Sequence, residues 1–268
     1  MRIVVKVGTS SLYDRQNQLD LPYLADLGRQ VETLWDRGHE VILVTSGAIG
    51  LGSQALGARP RTLTQKQAMA AVGQARLIQS YQAVLPKRPV AQVLLTREDL
   101  EPGTRRRERC RATLTQLLAW SVLPVVNEND TVADEEIRVG DNDTLAARVA
   151  VLMAADLVVL LSDIDGYYTA DPRRHPDAAR HRTVGWVTPE MVRAAEGAGH
   201  WGTGGMVTKL LAARICQEAR IPLVLAHSRH PDVLVAVAAG DRDVGTWFLA
   251  RSPGTPAADA SEEVIPGA

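Results

Sequence analysis

The stretch Arg2-Ile3-Val4-Val5-Lys6-Val7-Gly8-Thr9-Ser10-Ser11 opens the chain. Its first five residues, Arg2–Lys6, contain the apolar run Ile3-Val4-Val5 and end on lysine, a pattern typical of a strand covered by helices on both faces. Gly8 then lets backbone N–H groups approach an anion, with hydroxyl groups beside them. The stretch predicts the first strand of a parallel sheet, ending in either an anion site or a plain turn.

Strands and helices alternate along the rest of the chain. Helices are predicted around 21–34, 64–84, 105–120, 146–154, 205–219 and 231–239, and strands at 41–44, 90–95, 123–126, 157–161, 222–226 and 246–249. This alternation implies parallel pairing through right-handed crossovers. We therefore predict an α/β fold, a three-layer αβα sandwich around an open, mainly parallel sheet, over residues 1–251. Residues 252–268, rich in proline, alanine and acidic residues, are predicted to be a disordered tail.

The gross composition is that of a soluble globular protein, and it excludes several classes of partner. The net charge of −1 gives no reason to expect nucleic acid. The longest apolar stretch, residues 149–161, contains Asp156 and is too short to span a membrane. Because Arg2 leads straight into the first predicted strand, we expect no secretory signal. With only Cys110 and Cys216, the chain lacks a disulfide framework, and its six histidines form no metal cluster at helical spacing, so we expect a cytoplasmic protein without a protein-bound metal.

Lysine is rare in this chain. Of its 30 Lys and Arg residues, only four are lysine: Lys6, Lys66, Lys87 and Lys209. Lys6 and Lys209 both adjoin glycine-rich turns that could hold an anion. A lysine ammonium is a compact point charge, whereas arginine is a wide planar fork. We interpret Lys6 and Lys209 as cations for a moving phosphoryl group, and Lys66 and Lys87 as chance survivors of arginine-rich codon usage.

Two polar segments follow predicted strands in the first half of the chain. Thr45–Gly52 places small residues at a strand–helix junction, which leaves the helix N-terminus open to an anion or serves close helix–sheet packing. The second segment, 127–143, is either a solvated acidic loop or a site for an amino acid, since asparagine amides both donate and accept hydrogen bonds. Within it, alternating Ile137 and Val139 suggest a hairpin flap. Its amide and carboxylate side chains are those of Asn127, Asn129, Asp130, Asn142 and Asp143.

Two further segments lie in the second half of the chain. Ser162-Asp163-Ile164-Asp165-Gly166 follows a buried strand, so it is either a ligand contact or an Asp-Gly turn. Gly202–Lys209 ends a glycine run whose Gly-x-Gly-x-x-Gly match is rejected, because no strand precedes it. No glycine directly precedes a lysine, so a Walker A motif is missing, and so are the protein-kinase signatures. Any phosphoryl chemistry here must use another architecture.

These motifs, in this order, resemble the amino acid kinase family and, within it, the glutamate 5-kinase family. The resemblance runs from Arg2 to about Leu249, and its specific parts are the wording Asn-Glu-Asn-Asp…Gly-Asp-Asn-Asp in 127–143 and the segment Gly202–Lys209. It implies the amino acid kinase fold, with ATP over one half of the sheet edge and the phosphoryl acceptor over the other. The resemblance further implies an enzyme, a transferase that phosphorylates the side-chain carboxylate of L-glutamate at the start of proline biosynthesis.

The resemblance also implies residue roles. Lys6 and Lys209 become the catalytic cations, with Asp143 holding them in place. The residues implied to contact glutamate are Ser46, Gly47, Asn127, Asp130 and Asn142. The residues implied to contact ATP are Lys6, Gly8, Thr9, Ser162, Asp163, Thr203, Gly204, Gly205, Met206, Val207, Thr208 and Lys209.

Cofactors and partners follow from the same resemblance. ATP carries Mg²⁺, proline is a possible feedback inhibitor, a glutamyl phosphate reductase is a possible partner, and the chain is expected to form a homo-oligomer. Many bacterial members carry a C-terminal PUA domain; this chain ends at residue 268, soon after the last predicted strand, so we expect none. Two alternatives stay open: another activity on this fold, with N-acetylglutamate or aspartate as acceptor, and a non-catalytic sensor of amino acid and nucleotide.

Overall fold

The structure, a computed structural model, describes residues 1–132, 142–197, 205–250 and 264–265. The strands are β1 Arg2–Val7, β2 Glu40–Val44, β3 Val90–Leu95, β4 Leu123–Glu128, β5 Leu157–Ser162, β6 Arg180–His181, β7 Thr183–Val184, β8 Leu223–His227, β9 Thr246–Phe248 and β10 Val264–Ile265. The helices are α1 Thr9–Leu12, α2 Leu21–Asp36, α3 Ala48–Leu56, α4 Leu63–Val84, α5 Arg105–Ala119, α6 Asn142–Met153, α7 Pro189–Gly197, α8 Met206–Glu218 and α9 Val233–Ala238, with a 3-10 helix at Glu98–Leu100.

A central eight-stranded sheet organises the described residues, in the order β3-β4-β2-β1-β5-β8-β9-β7. β1 lies in the middle and pairs in parallel with β2 and with β5. The chain first builds the half containing β2, β4 and β3, and then the half containing β5 and β8. Six neighbouring strands of the sheet are parallel: β3, β4, β2, β1, β5 and β8. Their carboxyl ends therefore meet at one edge of the sheet, which is where ligands bind in open α/β sheets.

Strand alternation explains how β1 serves two cores. Ile3, Val5 and Val7 belong to the core on one face, beneath α2, α3, α4 and α9. Val4 belongs to the core on the other face, beneath α5, α6 and α8. Since side chains two residues apart on a strand share a face, Lys6 points to the same side as Val4, toward α6 and α8.

Two local features position the helices that cover Ile3, Val5 and Val7: a side-chain cap on α2 and a backbone contact between α3 and α4. Asp20 accepts a hydrogen bond from the Tyr23 N–H at 2.9 Å and so caps α2. α3 and α4 touch through backbone, because a Cβ at Gly73 would lie 1.8 Å from the Ala48 carbonyl oxygen. Glycine at position 73 therefore sets the distance between α4 and the first residue of α3.

The predicted fold class, an α/β sandwich around a mainly parallel sheet, is confirmed. One detail is wrong: β9 runs antiparallel to β8, although the short helix α9 lies between them in sequence. A second correction concerns α6, which begins at Asn142 rather than near Ala146, because a polar first turn carries no apolar period. The predicted flap at 137–139 lies outside the described residues, and so does most of the predicted tail; residues 264–265 form the strand β10 against β6. In the described ranges, no helix combines the length and apolar character that crossing a bilayer requires.

Candidate active site

A cleft of about 350 Å³ opens at the carboxyl edge of the sheet, around the end of β1. Both halves of the sheet contribute to its wall. The predicted site residues that line it are Lys6, Gly8, Thr9, Ser46, Gly47, Asn127, Asp130, Asn142, Ser162, Asp163, Met206 and Lys209. Residues separated by two hundred positions in the chain thus share one cavity.

Asp143 lies beneath the cleft and is fully buried, between the two lysines. The Lys6 Nζ lies 2.7 Å from its Oδ1, and the Lys209 Nζ lies 3.2 Å from its Oδ2. The Thr208 hydroxyl donates to the same Oδ2 at 2.8 Å. One carboxylate therefore fixes two ammonium groups that come from β1 and α8.

The charge state of Asp143 follows from two opposed effects. Burial alone would raise the pKa of its carboxyl group. The charges of Lys6 and Lys209, with hydrogen bonds from Lys6 and Thr208, outweigh that effect and hold the pKa of Asp143 below its ordinary value. The carboxylate is therefore ionised at neutral pH, and the cluster of Lys6, Asp143 and Lys209 carries one net positive charge.

A buried amide network adjoins this charge cluster. The Asn142 Nδ2 lies within donating distance of the Thr45 carbonyl (2.8 Å), the Ser46 Oγ (2.9 Å) and the Asn127 Oδ1 (3.1 Å). The Asn127 Nδ2 donates in turn to the Gln74 Oε1 at 2.9 Å. The network ties the ends of β2 and β4 to the first turn of α6.

Asp130 lies just beyond the end of β4 and faces the same cleft. It is partly buried, and burial raises its pKa to about 6. A carboxylate that pays a desolvation penalty is stabilised by a cationic ligand group. Gly47, which also lines the cleft, has a φ of +98°, a backbone conformation that favours glycine, and its carbonyl accepts a hydrogen bond from the Tyr13 hydroxyl at 2.6 Å.

The other half of the cleft is formed by the ends of β1 and β5 and the start of α8. The Gly8 N–H donates to the Leu161 carbonyl at 3.3 Å, and the Ser162 hydroxyl donates to Asp163 at 3.2 Å. Gly205 precedes α8 with a φ of +33°, and Met206 lines the cleft from the helix N-terminus. Val207 follows in the first turn, half-buried, whereas the predicted nucleotide contacts Thr203 and Gly204 lie outside the described residues.

Several residues of the site are absent from the sequence-based prediction. Gln74 carries the amide network, and the signal for it was a polar residue on the buried stripe of α4 between Ala70 and Leu77. Tyr13 has no sequence signal, because its contact with Gly47 depends on the fold. Lys66, interpreted above as a chance survivor, lines the cleft.

A parallel-sheet edge that presents two lysines on one buried carboxylate, beside helix N-termini, is suited to transferring an anionic group to an anionic acceptor, as a phosphotransferase does. The model of the amino acid kinase family matches residues 1–227, and the chain belongs to that family.

Relatives within this family cover nearly the whole chain. A glutamate 5-kinase of Symbiobacterium thermophilum is 52% identical over 92% of this chain and 95% of its own length. A glutamate 5-kinase of Caldanaerobacter subterraneus is 48% identical over 93% of this chain and 68% of its own length. The resemblance to this family that the motifs predict is thereby confirmed.

Solved structures share the fold at much lower identity. The UMP kinase of Bacillus anthracis superimposes with a TM-score of 0.63 at 17% identity, over 94% of this chain and 96% of that one. The isopentenyl phosphate kinase of T. acidophilum gives the same TM-score and identity over 92% of this chain and all of that one. These likenesses support the fold assignment alone.

Proposed function

We propose that the protein transfers the γ-phosphoryl group of ATP to the side-chain carboxylate of L-glutamate, forming γ-glutamyl phosphate and ADP, the first step of proline biosynthesis. One observation carries this proposal: the Lys6–Asp143–Lys209 cluster shares a cleft with the amide network of Asn127 and Asn142. Relatives at about half identity that bear the name glutamate 5-kinase support the choice of acceptor.

The amino acid binds in the half of the cleft formed by β2 and β4. Ser46 and Gly47 contact it from the start of α3, and Asn127 and Asn142 hold its polar groups. The Asn142 Oδ1 finds no hydrogen-bond donor among the described residues, so it is suited to accept from the substrate ammonium. Asp130 supplies the negative charge that the ammonium requires.

No general base is required for the reaction. A free side-chain carboxyl group with a pKa near 4.3 is already an anion at neutral pH. The obstacle is repulsion between this carboxylate and the phosphate, so catalysis rests on in-line positioning and on cations placed where charge is spread in the transition state. Lys6 and Lys209 are those cations, and removal of one should cost roughly 10²–10³ in rate.

ATP binds across the ends of β1 and β5, with Gly8, Thr9, Ser162, Asp163 and the start of α8 around it. Among the described residues, no three His, Cys, Asp or Glu side chains form a metal-binding group. The cleft can still accommodate Mg²⁺ that is held mainly by the phosphate oxygens of ATP and by water, since Mg²⁺ commonly takes only one or two protein carboxylates. When bound, the ion supplies further positive charge to the phosphates.

Trapping of the product with hydroxylamine tests the reaction. The purified chain is incubated with Mg-ATP and, in separate arms, with L-glutamate, N-acetyl-L-glutamate or L-aspartate, and both hydroxamate and ADP are measured. We expect both products with glutamate and neither above background with the other two. Turnover of another acceptor instead would reassign the substrate, and binding without ADP release would identify a sensor.

We make further proposals about the partners and the location of the protein. A labile acyl phosphate favours a nearby reductase that consumes it, and an end product such as proline is a natural inhibitor of the first step. We propose a cytoplasmic homo-oligomer. Addition of proline to the hydroxamate assay and measurement of the mass in solution test the inhibitor and the oligomer.

A further inference from the structure

Lys66 occupies a position that the proposed chemistry leaves without a role. It lies in the first turn of α4, is half-buried, and lines the cleft, as do Ile49 and Gly50 of α3. α3 and α4 are in backbone contact at Gly52, where a Cβ would lie 1.8 Å from the Met69 carbonyl oxygen. Lys66 is one helical turn before Met69 and so shares the face of α4 that meets α3.

The other cations of the cleft already have carboxylate partners. Lys6 and Lys209 both contact Asp143. Arg173, which enters from the β5 half, has its Nε 3.8 Å from Asp171. Among the carboxylates of the described residues, none forms an ion pair with Lys66. A half-buried ammonium directed into a cleft gains most from an anionic ligand, because burial weakens its hydration.

The sheet order places Lys66 on the acceptor side. α4 leads into β3, and β3, β4 and β2 all lie on the side of β1 opposite to β5 and β8. An amino acid with a reacting side-chain carboxylate carries a second anion, its α-carboxylate. That group needs a counter-charge away from Lys6 and Lys209, which are occupied with the reacting end.

We propose that Lys66 binds the α-carboxylate of the amino acid substrate, and so acts as a specificity-determining residue. This inference rests on the proposed function and deepens it. Lys66 and Asp130, of opposite charge and both in the cleft wall, together recognise the zwitterionic end of the substrate. The reacting carboxylate is then directed toward the two lysines on Asp143.

The test compares Lys66→Met with Lys87→Met, a matched control at an exposed lysine paired with Asp36. Each variant is assayed with L-glutamate and with isoglutamine, whose α-carboxylate is replaced by a neutral amide. We expect Lys66→Met to raise KM for glutamate roughly 10- to 100-fold, the usual effect of losing a charged hydrogen bond. KM for ATP and kcat should stay within about threefold of wild type, and Lys66→Arg should regain part of the affinity.

The neutral substrate decides the assignment. Isoglutamine should be a poor substrate for the wild-type chain. Lys66→Met should not raise the KM for isoglutamine further, because isoglutamine lacks the α-carboxylate that Lys66 would bind. Three results for Lys66→Met would each overturn the role of Lys66. They are an equal rise in KM for glutamate and isoglutamine, a raised KM for ATP, and a glutamate KM like that of Lys87→Met. Titration calorimetry of both ligands keeps the test independent of turnover: a wild-type chain that releases no ADP with glutamate refutes the proposed function, while the affinity ratio still decides on Lys66.

Discussion

The Lys6 ammonium lies 2.7 Å from the Oδ1 of Asp143, and both side chains are almost completely buried. A buried ion pair of this kind adds little net stability, because desolvation offsets most of the attraction. Here the second oxygen of the same carboxylate holds Lys209. This cluster of two lysines and one carboxylate carries one net positive charge, which suits a transferring phosphoryl group.

Asp143→Asn should abolish turnover while nucleotide binding survives. The amide keeps the shape of the carboxylate but cannot hold two ammonium groups, so Lys6 and Lys209 lose their common position. Breaking a buried pair by removing one partner costs about 3–5 kcal/mol of stability. Steady-state rates and calorimetric titration with ATP measure the two effects, and a loss of ATP affinity instead would contradict the placement of Asp143.

The stability change in Asp143→Asn should also depend on pH in a defined direction. The folded-state pKa of Asp143 lies below the ordinary value of 3.8, so the unfolded chain binds more protons in this range. The contribution of the ionised carboxylate is therefore complete above that value and is lost as pH falls below it. Urea unfolding at pH 7 and at acid pH should show the gap between variant and wild type narrowing on acidification.

Lys209→Arg should retain the fold but lose roughly 10²–10³ in kcat. Net charge is unchanged, so a purely electrostatic role would tolerate the change. The guanidinium is planar and wider than the ammonium, and Lys209 has only 8% of its surface exposed, so the fork cannot occupy the same point. Near-normal turnover with an unaltered thermal midpoint would count against a point-charge role for Lys209.

The sequence predicts the elements of this site better than their arrangement. Strand ends are visible as apolar runs that stop at Lys6, Val44 and Val126, so the residues that follow them can be assigned to one edge of the sheet. The order of the strands in the sheet cannot be predicted in the same way. β4 lies between β3 and β2, and nothing local in these strands encodes which neighbours they choose.

The sequence also does not predict which side chains of one helix contact a neighbouring helix. Gln74 and Lys66 are both on α4, and whether each faces core, cleft or solvent depends on how α4 packs against α3. That packing is decided by backbone contact at Gly52 and Gly73. The scarcity of lysine marks Lys6 and Lys209 only because glycine-rich turns adjoin them; Lys66 lacks such a turn, and its place in the cleft wall follows from helix packing.

Gln74→Leu should raise KM for the amino acid more than it changes kcat. The substitution removes the acceptor of the Asn127 Nδ2, leaving a buried donor unpaired at a cost of about 1–3 kcal/mol. Asn127 then loses its fixed orientation toward Asn142, so Gln74 acts as a positioning residue. Gln82→Leu is the matched control, since Gln82 lies on the same helix and bonds backbone groups at Leu85 and Arg88.

The control separates positioning from stability. Both variants should lower the thermal midpoint, but only Gln74→Leu should alter KM for the amino acid. Equal kinetic effects in the two variants would mean that α4 acts through overall stability alone.

Asp130 should make amino acid binding depend on pH near 6. Burial raises its pKa to about 6, so the carboxylate that holds the substrate ammonium is neutralised as pH falls through that value. We expect kcat/KM for the amino acid to decline below pH 6 in wild type, with the free-enzyme pKa visible in the profile. Asp130→Asn should be weak at every pH and show no such inflection, whereas Asp36→Asn, at an exposed carboxylate, should follow the wild-type curve.

Stability should respond to Asp130 in the opposite sense. Its folded-state pKa lies above the ordinary value of 3.8, so between 3.8 and about 6 the folded chain binds more protons and loses stability as pH rises. Asp130→Asn should therefore unfold at a higher temperature than wild type at pH 7.5, and the difference should disappear near pH 4, where the carboxyl group is protonated in the folded state. A variant that is weaker in binding yet no more stable at pH 7.5 would show that Asp130 is solvated and that its pKa is not raised by burial.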